Sequence, residues 1–156
     1  MKLPLVLIAL LFSLWACSPP VPPSASAEHR IPWLSLAQAK PEALASNKPM
    51  LIDFFTGKDC PRCQLLVREV YSNPTIADRI MRDFIPVRVD LDQPLSAEEK
   101  ALAARLENGD ECILAFLTAT GSIIADSEGK RICSMDMLSP ESFTKYLDAA
   151  VKNIAP

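Results

Sequence analysis

Asp53-Phe54-Phe55-Thr56-Gly57-Lys58-Asp59-Cys60-Pro61-Arg62-Cys63 is the stretch that decides the fold. A hydrophobic run, Met50 to Phe55, ends in Thr56-Gly57, and two cysteines follow with two residues between them. A helical pattern then opens with Leu65, Leu66, Glu69 and Val70. The order is strand, tight loop, Cys-x-x-Cys, helix. Unpaired N–H groups and the helix dipole stabilise a thiolate at a helix N-terminus, so Cys60 is the candidate attacking thiol. Cys63 falls one turn along on the same face, within reach of a mixed disulfide formed at Cys60. A static structural disulfide, or half of a metal site, is the alternative use of the same pair. Asp59 disfavours a thiolate at Cys60, whereas Arg62 and the helix terminus favour it.

Working outward, Trp33 and Leu34 begin the folded domain, and Leu36, Ala39, Ala43 and Leu44 give a first helix interrupted at Pro41. Asn47-Lys48-Pro49 turns into the strand at Met50–Phe55, and the helix opened by the cysteines runs to about Val70. Ser72-Asn73-Pro74 is a cap followed by a first-turn proline, and Ile76, Ile80 and Phe84 carry the next helix. Ile85 to Asp90 is a β-branched strand. Ser96-Ala97-Glu98-Glu99 fits a capping box, with Leu102, Ala103 and Leu106 as the buried stripe behind it. Cys112 to Thr118 reads as a buried strand, turned by Thr120-Gly121 into a strand region between Ser122 and Met135. Ser139-Pro140 starts a last helix with Phe143, Tyr146, Leu147, Ala150, Val151 and Ile154 on one face. The order α-β-α-α-β-α-β-β-α predicts an α/β fold: a mixed central sheet with helices on both faces.

The chain has 156 residues and a formal net charge of −3, with no basic face to offer a nucleic acid. Residues 1–16 read as an export signal: Lys2, then an apolar run from Leu3 to Trp15, too short to span a bilayer. Leu14-Trp15-Ala16-Cys17 resembles a bacterial lipobox, in which the cysteine is lipidated and becomes the new N-terminus. An ordinary cleaved signal is the alternative. Lipidation of Cys17 accounts for the odd member of five cysteines. Residues 17–32 then form a Pro/Ser-rich tether, and about ten extended residues would hold the domain, 33–156, roughly 30 Å from a membrane. Ser18 after Cys17 points to the outer membrane, facing the periplasm, by analogy with Gram-negative sorting. His29, the only histidine, falls in the tether, so the folded domain offers no Cys-His or Ser-His pair.

Element order and motif position together resemble the thioredoxin fold over about residues 33–154. The pattern is similar to the C-terminal periplasmic domain of DsbD-type thiol:disulfide reductases. The matching text is Lys48-Pro49-Met50-Leu51-Ile52-Asp53-Phe54-Phe55, Cys60-x-x-Cys63, and Val70-Tyr71-Ser72-Asn73-Pro74-Thr75-Ile76. Phe116 to Gly121 resembles the family's hairpin, and Leu138-Ser139-Pro140-Glu141-Ser142-Phe143 the start of its final helix. The resemblance implies that Cys60 attacks, Cys63 resolves, and Asp53 is the buried acid beneath them, relaying a proton. A strand-end aspartate satisfied by backbone donors is the other reading of Asp53.

The chain departs from the family in three places. Asp59 stands where tryptophan usually precedes the first cysteine, and one extra residue separates Asp53 from Cys60. Cys112 takes the place of the cis-proline, which puts Glu111 and Cys112 at the substrate groove, with Cys112 as a third thiol. A plain core cysteine, or a Cys112–Cys133 disulfide between neighbouring strands, is the alternative. The expected function is a membrane-tethered thiol:disulfide oxidoreductase acting on exported proteins. It needs no cofactor or resident metal, and it draws on a membrane electron donor if it acts as a reductant. The competing expectation is a non-catalytic module whose cysteines bind metal or form structural disulfides.

Overall fold

The computed structural model describes residues 30–57, 59–106, 114–130, 132 and 139–154. Helix α1 spans Leu36–Ser46 and strand β1 Met50–Phe55. Helix α2, Pro61–Leu65, continues directly into a π-helical segment, Leu66–Tyr71. Then come α3 (Pro74–Asp83), β2 (Ile85–Asp90), α4 (Ala97–Leu106), β3 (Leu114–Leu117) and α5 (Pro140–Lys152). The strands form one mixed sheet in the order β2-β1-β3. β1 runs parallel to β2, with Asp53 opposite Arg88, and antiparallel to β3, with Asp53 opposite Leu114. This is the mixed α/β arrangement that the element order predicts, and it is consistent with the fold that the resemblance implies.

Side-chain alternation along β1 divides the core into two layers. Met50, Ile52 and Phe54 pack with Val87, Val89, α1 and α4 on one face. Leu51 packs with Leu66, Val70, Tyr71, α3 and α5 on the other. Asp53 and Phe55 share the parity of Leu51, so they face the helical segment that carries the cysteines. Helices therefore cover both faces, as a largely apolar β1 requires.

Local chemistry explains the element boundaries. Asn73 Oδ1 accepts the N–H groups of Thr75 and Ile76, and Pro74 fills the first helical position of α3. Ser96 and Glu99 exchange the two bonds of a capping box at α4. Ser139 caps α5.

Five local expectations change. Pro41 does not interrupt α1, which runs unbroken through it. Its ring lies on the exposed side, where losing one N–H is tolerated, and a complete capping box at Ser35 and Gln38 secures the start. The helix after the cysteines is α-helical for only five residues before it widens. The π-type bond from Ser72 N–H to the Val67 carbonyl, 3.0 Å, turns both Val70 and Tyr71 into the core. The region after Gly121 pairs with β3 only through an isolated bridge, Leu117 with Ile123, among the described residues. Val151 of α5 is 42% exposed, outside the buried stripe that holds Phe143, Tyr146, Leu147 and Ala150. Ile31 is already part of the core, ahead of Trp33.

Candidate active site

Strand β1 ends at Phe55, and the chain turns back through Thr56 and Gly57 before α2 begins. Asp59 takes the left-handed conformation, φ 52°, which an aspartate tolerates better than most side chains. Cys60 is the N-cap of α2, and Pro61 is its first residue. Proline is suited to that position because its missing N–H would have had no helical partner. Cys60 and Cys63 are joined in a disulfide, with their Cα atoms 5.3 Å apart. Cys60 is half-buried, whereas Cys63 is only 2% exposed. The Cys63 N–H donates to Cys60 Sγ at 3.0 Å. The structure thus brings the two sequence-predicted sulfurs together at the mouth of one helix, one within reach of solvent and the other shielded.

A family model described as thioredoxin-like matches residues 32–119, more than half of the chain. The chain belongs to the thioredoxin-like family. Solved structures agree with this assignment. A thioredoxin from Thermus thermophilus superposes with a TM-score of 0.55 at 22% identity, covering 79% of this chain and 89% of the other. The DsbH oxidoreductase gives 0.54 at 21% identity, covering 77% and 83%. A disulphide-isomerase homologue from Bacteroides thetaiotaomicron gives 0.55 at 22%, covering 78% and 92%. At these identities the likeness is one of fold. No curated protein matches the sequence significantly.

In this thioredoxin-like domain Asp53, on β1, is 2% exposed. It is held neither by backbone donors alone nor in isolation. Arg88, its neighbour across the parallel strands, donates to Asp53 Oδ2 from Nε at 3.2 Å and from Nη2 at 3.1 Å. The guanidinium is itself enclosed by aromatic faces. Its Cζ lies 4.1 Å from the Phe55 ring centroid, 4.3 Å from Trp33 and 5.7 Å from Tyr71. Arginine suits such a place because its flat, weakly hydrated cation can stack and bond at once.

Sequence reasoning missed Arg88, Trp33 and Tyr71 as parts of this site. One signal was available: a charged residue within the apolar run Ile85-Pro86-Val87-Arg88-Val89 needs a partner once that strand is buried. Asp53, on the adjacent strand, is that partner. Asp92, which holds the loop before Cys60, was missed as well.

Glu111, Cys112 and Cys133 lie outside the described residues, as do Cys17, His29 and Lys58. Among the described residues, no group of three or more His, Cys, Asp or Glu is arranged to hold a metal ion.

Both tyrosines of the chain are buried, Tyr71 completely and Tyr146 at 6% exposure. Burial raises the Tyr71 phenol well above its ordinary value, and the negative charge of Asp53 adds to the shift. Among the described residues its hydroxyl has no hydrogen bond of good geometry, so Asp53 acts on it chiefly through charge. Burial also raises Tyr146, which donates to the Ile132 carbonyl at 2.8 Å, while the nearby Arg62 opposes the rise. In the unfolded chain both phenols ionise near pH 10. The stability gained by keeping them neutral is therefore full below about pH 10 and is lost as the pH climbs above it. Stability should fall by about 1.4 kcal/mol per pH unit for each tyrosine. Tyrosinate absorbance should then appear together with loss of far-ultraviolet helix signal. Titration of either phenol in a still-folded protein would contradict this placement.

Proposed function

We propose that the protein is a thiol:disulfide oxidoreductase working through Cys60 and Cys63. The observation that carries the reading is the unequal exposure of two bonded sulfurs at one helix start, in a thioredoxin-like fold. As a reductant, the Cys60 thiolate attacks a substrate disulfide. A mixed disulfide forms at Cys60, and one substrate sulfur leaves as a thiolate. The Cys63 thiolate then attacks Cys60 Sγ, closes the Cys60–Cys63 disulfide and releases the second substrate thiolate. Two electrons pass to the substrate, and solvent protonates its thiolates. Run backward, the same steps oxidise a dithiol. The Cys63 amide that contacts Cys60 Sγ would stabilise the attacking thiolate. Asp53, paired with Arg88, would set the charge beneath Cys63 as that thiol gives up its proton.

The sequence Leu14-Trp15-Ala16-Cys17 and the Pro/Ser-rich stretch after it support an exported, lipid-anchored protein facing the periplasm. Its partners would be cysteines of other exported proteins, and a reducing role would require a membrane electron donor. The quoted motifs support a reductase akin to the C-terminal domain of DsbD. By the family resemblance, Glu111 and Cys112, which lie outside the described residues, would serve the substrate groove.

Trapping tests the reading. With Cys63→Ala expressed in the exporting cell, mixed disulfides should accumulate through Cys60 and disappear on adding reductant. A blank lane beside a working positive control would overturn it. Stoichiometric zinc or copper on the purified chain would favour a metal-binding module instead.

A further inference from the structure

We infer that Asp92 is a positioning residue for the exchange: its carboxylate latches the loop that delivers Cys60 to its helix. The inference rests on the proposed role of Cys60 and Cys63 as an exchanging pair.

Four residues, 56–59, connect β1 to Cys60, and a short unpaired connection has conformational freedom to lose. Both oxygens of Asp92 act against that freedom. Thr56 Oγ1 donates to Oδ1 at 2.8 Å, and the Gly57 N–H donates to Oδ2 at 2.8 Å. The latch is anchored in turn. The Asp92 N–H bonds Asp90 Oδ1 at 2.9 Å, and the Leu91 N–H bonds the Phe55 carbonyl at 2.8 Å. The end of β2 therefore grips the loop that leaves β1. The grip is two bonds to one side chain, one from a hydroxyl and one from a backbone amide, which hold the loop at two points. It is not a steric fit: a Cβ added at Gly57 would stand 3.5 Å from Asp92 Oδ2, an ordinary contact.

Held in this way, Cys60 keeps its sulfur over Cys63, and the effective concentration of one thiol at the other stays high. Loosening the loop lowers it, so the disulfide closes less favourably. Asparagine separates the latch from the charge. Its amide oxygen can accept the Gly57 N–H while its amide nitrogen donates to the Thr56 hydroxyl, which rotates to accept.

The test equilibrates the full chain with glutathione buffers and quantifies Cys60 and Cys63 by alkylation and peptide mass. Asp92→Ala should lower the equilibrium constant for closing the disulfide by about fivefold, with the helix content unchanged. Thr56→Val should lower it by about half that factor on a logarithmic scale. Asp92→Asn should stay within about twofold of wild type. An asparagine variant as impaired as the alanine one would assign the effect to charge and overturn the latch. So would three variants indistinguishable from a wild type that equilibrates normally. A wild-type pair that never equilibrates with glutathione would overturn the exchange reading, and the latch with it.

Discussion

Replacing Arg88 with methionine should destabilise the domain by about 3–5 kcal/mol, read from chemical denaturation of the oxidised protein. The reason is the carboxylate left behind. Asp53 is 2% exposed, and Arg88 donates two hydrogen bonds to its Oδ2. Methionine fills much of the same volume among Trp33, Phe55 and Tyr71, so the loss is one of charge and not of packing. Removing both partners should cost far less. A double variant, Asp53→Asn with Arg88→Met, should recover more than half of the loss, because no isolated buried charge remains. Equal destabilisation of the single and double variants would show that Arg88 acts mainly by stacking on its aromatic neighbours.

Cys60→Ser should abolish disulfide reduction, lowering insulin-reductase turnover on the order of 10³-fold or more, the scale seen when a covalent nucleophile is lost. A serine hydroxyl cannot form the mixed disulfide, and no other described thiol stands at a helix start to replace it. Cys63→Ser should also stop turnover, but one step later: Cys60 still attacks, and the mixed disulfide then waits for an external thiol. The fold should be unaffected in both. Retained turnover in Cys60→Ser would place the reactive sulfur elsewhere in the chain.

The elements that frame the site were legible because each carries its own local signal. Met50–Phe55, the Asn73-Pro74 cap, the Ser96–Glu99 box and the Ser139-Pro140 start all depend on neighbours in sequence. The meeting of Cys60 and Cys63 was legible for the same reason, since three residues of helix fix it. Arg88 and Asp92 were not. The first reaches Asp53 across 35 positions of sequence, and the second reaches Thr56 across 36. Such pairings depend on strand register, which no local pattern encodes. The π-helical turn was hidden too. Leu66–Tyr71 reads as ordinary helix, and the extra residue per turn is selected by where Tyr71 must pack, against Trp33 and Phe143. Continuity of α1 through Pro41 likewise depends on which side of the helix faces solvent.

The central claim is an asymmetry between two sulfurs, and pulse alkylation of the freshly reduced protein tests it most directly. Cys60 should take iodoacetamide at least about ten times faster than Cys63, because the buried thiol must wait for local opening. Labelling of Cys63 first, or of both at one rate, would contradict the account.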